Sequence, residues 1–520
     1  MPGAPVTLGP FTGGMDNWTD QASITDKQLF LIENGEVDTD GSIVSRPAFV
    51  FEETVTPHTG TLQPLGYYVR NDGITFLVVA TAVDTQIYQL DTKTWTTIWS
   101  SPAAYFVQYD NKIVMCSETV AGGYWEAGTF TAIASMPMAT QIVFYQERFW
   151  LFGPKGTPNA TTVWFSDLNV ITPPSSIFNF QTGTNFFTVS KGDGQWIASL
   201  VADTNALLIF RSGSTYQFTY PNAPGSGTLR PLSKTIGAEN KWSVGFYESY
   251  YLVISQGYLY QFINYKFYPL NTKRIVFRRG SLAGALLADI RLSIYGRRCV
   301  LWFYGSIYVY NLITTSWSTW VSTVSSPAHF FTIPPTSTSG ASRTALVVTG
   351  ETNATKQRLW RISDDPIASG ALFENFSLHV TTKAYDFGRA ANDKRMTWWA
   401  LEIQSATGAQ GSMSPIVIPI TGVTWNQMNA LYWPNTVGAA PAIQTWNNPL
   451  IPQPVYNEVV PFPTAGPQRQ TIKFAGVGRF IRVAADVYIG LDGTSKTSPV
   501  KLFSIIPYLK NKAVVSLKVS

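Results

Sequence analysis

One local pattern recurs along the first two thirds of the chain and limits what it can fold into. A β-branched or aromatic run leads into a tight polar turn. A strongly apolar run follows, then a run built round a tyrosine, and often a last aromatic-rich run. Copies occupy residues 67–99, 104–133, 141–180, 196–232, 244–270 and 288–320, with a looser seventh at 328–362. The runs are short and bounded by Gly, Asn, Asp or Pro, as strands are. Convincing helical periodicity with caps is almost absent. A weak exception at 280–289 reads equally well as a strand.

The turn pairs Asp72-Gly73, Asp110-Asn111, Gln146-Glu147, Thr204-Asn205, Glu248-Ser249 and Gly296-Arg297 fall at equivalent places, where hairpins are expected between the first two strands of each unit. Two units share a closer motif, Tyr88 to Asp91 to Trp95 and Tyr308 to Asn311 to Trp317, similar to the outer hairpin of kelch-like blades. A four-stranded unit repeated at this spacing predicts an all-β fold with a β-propeller of about six to seven four-stranded blades at roughly 61–365. A stacked sandwich array is the alternative.

Residues 1–60 read as an amino-terminal arm, with 29–36 or 43–50 able to supply a strand that closes the ring against the last blade. Pro366 opens a turn cluster, and alternating strands beyond it predict a separate C-terminal β-sandwich-like domain at 366–520. Within it, 425–467 is a Pro- and Trp-rich excursion, and such long loops are usually contact surfaces.

Composition sharpens this. Charged residues are 13% of the chain, about half the ~25% usual for soluble domains. Aromatics are 14%, and the formal net charge is +5. A hydrophobic content of 45% excludes a disordered chain, and so sparse a charge fits a coiled coil poorly. The amino terminus has no basic and apolar leader pattern, so no signal peptide is expected. No run of 18 apolar residues predicts a membrane span.

Chemistry is sparse. His58, His329 and His379 have no catalytic neighbours in sequence. Cys116 and Cys299 sit in apolar strand runs, and no Cys/His spacing suggests zinc. Asp38-Thr39-Asp40-Gly41 lacks the ligands of a calcium loop and reads as a hairpin turn. Ser166-Asp167 and Asp193-Gly194 read as turns. Phosphate-loop, nucleophile-elbow and zinc-helix motifs are absent. The expectation is a non-enzyme with no cofactor and no metal. One charge feature stands out: Lys273, Arg274, Arg278, Arg279, Arg291, Arg297 and Arg298 fall within 26 residues, with Asp289 the only acid. On one rim they would form a basic interface patch for an acidic partner or phosphate backbone.

Several motifs resemble a known family. Residues 11–17 (FTGGMDN), then Gln28, Glu33-Asn34-Gly35-Glu36-Val37-Asp38-Thr39-Asp40-Gly41 and Arg46-Pro47, resemble the start of β-propeller tail proteins of tailed bacteriophages. So do Val163 to Asp167, Asp193-Gly194, Leu207 to Arg211, Thr215-Tyr216, Leu229 to Ser233 and Ile236-Gly237 in the middle. Thr382 to Gly388, Lys394-Arg395 and Gly478-Arg479-Phe480-Ile481-Arg482 are similar in the last third. In architecture the chain resembles the tail nozzle, or tail tubular protein B, of short-tailed phages.

The resemblance implies a structural subunit of a nozzle or hub ring in the virion. It implies six copies round a DNA conduit, a head-to-tail adaptor protein on one side and tail fibre proteins at the flank, with genomic DNA passing non-specifically. A receptor- or carbohydrate-binding propeller tail protein is the second expectation, and a glycoside hydrolase the third.

Overall fold

The structure, a computed structural model, describes the chain outside residues 1–3, 6–7, 17–23, 26, 48, 52–57, 60–61, 169–175, 191, 221–226, 271–289, 304–305, 322–324, 334–344, 354–355, 363–375, 384–393, 406–409, 421–457, 462–467, 479, 490–499 and 512–520. The regular elements of the described residues are all strands apart from a single 3-10 turn, Ser176–Phe178.

Six antiparallel four-stranded units follow one another in chain order, at residues 63–99, 105–132, 141–188, 197–233, 244–269 and 291–320. A seventh is built from Ser325–Ile333, Ala345–Asn353 and Lys356–Ile362, completed by Phe49–Phe51 and, on the same edge, by His58–Thr59. The first strands of units one, two, three and four touch in that order, as do those of five, six and seven. Ala198 and Val244 share a core cluster that joins unit four to five. The first strand of unit seven touches that of unit one, which closes the ring. The fold is a seven-bladed β-propeller, at the upper end of the expected count.

Period-two alternation explains why blades stack. The second strand of each of blades one to six is largely buried, and its two faces serve different neighbours. In Thr75–Ala80, Phe76 and Val78 pack toward blade two, while Leu77 and Val79 pack toward blade seven. In Arg148–Phe152, Phe149 and Leu151 meet blade two, while Trp150 and Phe152 meet blade four. Leu208 and Phe210 carry the pattern on to blade five, and Val300 packs toward blade seven.

The six turn pairs read from the sequence all lie between first and second strands. Asp110, Gln146, Glu147 and Glu248 take positive φ there, the backbone that tight hairpins need.

Side-chain amides stitch adjacent inner strands. Gln141 of blade three accepts from the Leu200 N–H (2.8 Å) and donates to the Leu200 carbonyl (3.1 Å) of blade four. Gln108 of blade two does the same with Val69 of blade one, at 3.3 and 2.8 Å.

The two ends of the chain meet outside the ring. Lys394–Ser405, Gln468–Gly478 and Val500–Asn511 form one sheet with the amino-terminal strands Gly35–Val37, Ile43–Ser45 and Ala4–Pro5. A second sheet, of Phe376–Thr381, Phe480–Ile489, Gln410–Ile420 and Glu458–Pro461, runs without a break into blade six through Leu31–Glu33. The two sheets touch between Gln410–Ile420 and Gln468–Gly478. A Cβ on Gly35 would stand 2.5 Å from the Leu378 Cδ1, so a larger residue there would have to displace that side chain.

Of the two stretches read as ring closers, 43–50 overlaps the observed closing strand at Phe49 and Val50. The other places Leu31–Glu33 on blade six instead. Most of the excursion at 425–467 lies outside the described residues.

Phe49 is fully buried among Tyr295, Trp320, Trp360 and Ile362. Phe49→Ala should destabilise the chain by about 3–5 kcal/mol in urea unfolding. Amides of Lys356–Ile362 should lose hydrogen-exchange protection ahead of blades two to four. Uniform loss across all blades would show that ring closure does not rest on this strand.

Candidate functional site

Two places gather polar chemistry: the junction between blade six and the amino-terminal hairpin, and one end of the propeller channel.

At the junction, Asn34 follows the short strand Leu31–Glu33. Its N–H donates to the Thr319 carbonyl (2.7 Å). Its Oδ1 accepts from the Arg46 Nε and from the Val321 N–H, both at 2.7 Å. Buried Arg46 also donates to the carbonyls of Pro47 (2.8 Å) and Val321 (2.9 Å), and its guanidinium lies 4.6 Å above the Phe49 ring.

One turn further, Glu36 accepts from the Arg298 Nε at 2.6 Å. Asp38 meets the Lys501 Nζ at 2.8 Å and Arg297 at 3.4 Å, and Asp40 stands 3.7 Å from Lys501. Burial works to raise the Asp38 carboxyl. The hydrogen bonds from Lys501 and the Thr39 N–H, with the charges of Lys501 and Arg297, outweigh it and hold the group below its ordinary range. Lys501 is pushed up by the same pair. Asp40 accepts the Ser42 N–H (2.9 Å), and Gly41 has φ +80°, so this segment is the expected hairpin turn.

These contacts redefine the basic stretch. Arg298 and Arg291 are buried, and Arg297 turns to Asp38. Arg298 sits 5.1 Å above the Tyr295 ring as well as on Glu36. Arg291 donates to the Pro64 carbonyl (3.4 Å) and lies 4.7 Å above Trp242. Arg291 and Arg298 therefore do not contribute to an exposed rim patch. Strand alternation directs them inward, where carboxylate, carbonyl and ring partners hold their charge. Lys273, Arg274, Arg278 and Arg279 lie outside the described residues.

The channel end is formed by the connection from blade four to blade five, which the sequence reading passed over. Lys241, whose side chain is 10% exposed, donates to the carbonyls of Ala104 (2.7 Å) and Thr140 (3.1 Å), just before the first strands of blades two and three. Trp242 packs on Tyr105 with ring centroids 4.9 Å apart, and its carbonyl accepts from the Leu292 N–H. Asn240 donates to the Ile290 carbonyl at 2.8 Å. One connection thus ties blades two, three and six across the axis. Burial, partly offset by Glu118, pushes the Lys241 ammonium down to about 8. Next to this plug is a cavity of about 430 Å³, lined chiefly by Tyr67, Tyr105, Phe106, Gln108, Phe144 and Ala202.

Motifs of the middle blades also meet. Arg211, fully buried, forks onto the Asp193 carboxylate at 2.7 and 2.5 Å and donates to the Gln195 carbonyl (2.9 Å). That bidentate pair holds the Asp193 carboxyl well below the usual range. A Cβ on Gly237 would overlap the Arg211 carbonyl oxygen, which explains a glycine there. Asp167 accepts from the side-chain amides of Asn179 (2.6 Å), Gln181 (3.1 Å) and Asn185 (2.7 Å), anchoring its own loop. Tyr251 and Tyr265 both donate to Asp203.

Burial pushes the Cys116 thiol up to about 12 and raises Cys299 as well. The His379 Nε2 lies 2.9 Å from the Thr381 hydroxyl. Among the described residues, no group of three or more His, Cys, Asp or Glu could hold a metal ion. None of their helices is long and apolar enough to cross a membrane.

No family model matches the chain, and no curated protein matches it. Among solved structures, the computationally designed Ika8 protein is 11% identical, over 60% of this chain and 100% of that one, at a TM-score of 0.37. The WD40 β-propeller domain of Doa1 is 8% identical, over 61% and 96%, at 0.39. The RRP9 WD40 repeats are 10% identical, over 62% and 99%, at 0.40. Likeness this loose carries no argument. The propeller assignment rests on the strand pairing and ring contacts of the chain itself.

Two titrations should be visible. Asp193 has a depressed folded pKa, so its contribution to stability is present above about pH 4 and lost as pH falls below it. Asp193→Asn should flatten the fall in unfolding midpoint between about pH 5 and 2. Lys241 binds a proton less readily folded than unfolded. Between its folded value of about 8 and the unfolded ~10.4, the unfolded chain holds more protons. Stability therefore gains from this group as pH rises through that window. Lys241→Met should remove the gain, read as the difference in denaturant midpoint between pH 7.5 and about 9.5. An unchanged slope would mean that Lys241 is solvated.

Proposed function

We propose that the chain is a non-catalytic structural subunit of a bacteriophage tail, serving in a nozzle or hub ring. Copies, six by the resemblance, would surround a conduit for genomic DNA, with an adaptor protein above and tail fibre proteins outside. The observation that carries this reading is the continuous hydrogen-bonded sheet from blade six through Leu31–Glu33 into the C-terminal strands. A propeller joined in this way cannot swing on a linker, and a load applied to one body is borne by backbone hydrogen bonds in the other. Support also comes from where the family-like motifs fall. Asn34, Glu36, Asp38, Arg46, Asp193 and Arg211 all serve as internal anchors, as expected of a protein whose task is shape.

The propeller's own axis is crossed by Lys241, Trp242 and Arg291. A DNA path would therefore run along the axis of the assembled ring, outside each propeller. The second reading, a receptor- or carbohydrate-binding propeller, is favoured by the aromatic cavity of about 430 Å³.

Single-particle imaging of the purified protein and of virions separates the two. Six-fold rings at the tail are expected. Monomers that bind neutral glycans on an array, with Tyr67→Ala abolishing the signal, would replace the nozzle reading by the second one.

A further inference from the structure

Glu36, Asp38 and Asp193 are each met by a cation. Asp203, half-buried at the first turn of blade four, makes no ion pair among the described residues. Its two oxygens accept phenols of blade five instead, Oδ1 from Tyr251 at 3.1 Å and Oδ2 from Tyr265 at 3.3 Å. An ionised carboxylate has about four acceptor positions, so about two remain for a further donor.

A third phenol comes from blade three. The Gln141 amide bonds the Leu200 backbone across the first strands of blades three and four, and both strands run on into the turn to their second strand. Four residues further on, Tyr145 comes level with the turn at Asp203 and Thr204. Tyr145 is 6% exposed, and its hydroxyl has no hydrogen-bond partner among the described residues. Burial raises the pKa of that hydroxyl and the charge of Asp203 adds to the rise, as both do for Tyr251 and Tyr265. Phe246, on the first strand of blade five, forms an exposed rim: it is 57% exposed, and its ring lies 5.1 Å from that of Tyr251.

Chemistry decides what suits these groups. Asp203 calls for a positive charge that also donates, and Tyr145 for a hydrogen-bond partner. A guanidinium forks best onto both oxygens of a carboxylate, and each oxygen of Asp203 already takes a phenol. A quaternary ammonium would meet the charge and leave the Tyr145 hydroxyl unpaired. A primary ammonium spreads its donors tetrahedrally, so one can serve Asp203 and another the Tyr145 oxygen. The phenol rings favour a cation beside them, and an alkyl stem behind the ammonium can cover Phe246.

We infer that Asp203, Tyr145, Tyr251 and Tyr265 form a binding site for a primary alkylammonium group, with Phe246 receiving its alkyl chain. A partner's lysine side chain and a free alkylamine both carry this group, and the test separates the two sources. The inference stands on the carboxylate and its phenols and does not depend on the virion reading.

Ligand-observed NMR titration of the full chain with n-butylammonium, at fixed ionic strength, tests it. Saturable millimolar binding is expected, weakened about tenfold or more by Asp203→Asn. Tyr145→Phe removes only the unpartnered oxygen. It should keep the wild-type unfolding midpoint and still weaken binding about fivefold, the scale of one hydrogen bond. A lysine tripeptide with blocked ends that binds tighter than n-butylammonium assigns the site to a partner's lysine, and one that binds no tighter assigns it to a free amine. Absence of saturable binding overturns the inference, as does tetramethylammonium competing as well as n-butylammonium. Binding unchanged in Tyr145→Phe also overturns it, since water alone would then meet that hydroxyl.

Discussion

The rest of the structure depends on the second strands of blades one to six being buried on both faces. A two-faced apolar strand cannot be satisfied inside one four-stranded sheet. Each face needs a neighbour, and the seventh blade needs the first. Such a sheet is stable only in a closed ring, and closure falls to the last blade-to-blade contact, where Leu359 joins Leu62, Leu77 and Tyr88. The unusual composition follows. Interfaces between flat sheets are filled best by large planar side chains, and Trp150 alone meets Phe165, Phe187, Phe218 and Tyr220. Charges have few positions left on such faces.

A closed ring leaves the question of what fixes its edge. Here the amino-terminal segment passes from the outer sheets to blade six and then to blade seven before blade one begins. It brings its own polar chemistry with it. Burying Arg46 and Arg298 carries a large desolvation cost unless every donor is directed at a partner. Asn34 and the backbone carbonyls of Pro47 and Val321 each take one nitrogen of Arg46, while Glu36 accepts from the Arg298 Nε and the Tyr295 ring lies beneath that guanidinium. The ion pairs therefore define where the hairpin must sit on blade six, because a displaced hairpin would leave buried charges without partners. Their role is geometric selection more than net stabilisation.

Much of the ring was legible in the sequence because its determinants are local. Turn pairs, apolar second strands and the Tyr-to-Trp outer hairpin all act within ten residues or so. Even there, the motif read from Tyr308 pairs through Tyr310, since only register decides which tyrosine faces the Trp. The sites were less legible because their partners are far apart in the chain. Lys241 finds carbonyls at Ala104 and Thr140, and Lys501 finds Asp38. A run of arginines looks like a patch in one dimension. Strand alternation then sends Arg291 and Arg298 inward, where Trp242 and Glu36 await them. The outer sheets were read as a C-terminal sandwich, yet they are made from both ends of the chain, and no local pattern reveals that pairing.

The way charge is used narrows how this protein can recognise anything. Arg46, Arg211, Arg291, Arg298 and Lys241 are buried or nearly so and already engaged within the chain. Salt-sensitive steering by clustered surface charge therefore has little to work with among the described residues. Exposed groups among the described residues include the threonines of Thr94–Trp99 on blade one, an aromatic cavity at the channel, and rings such as Phe246 and Tyr268. Contacts made by those groups depend on shape and on main-chain hydrogen bonds, and they vary little with ionic strength. A scaffold that spends its charges internally is suited to partners that fit as strands or as apolar side chains.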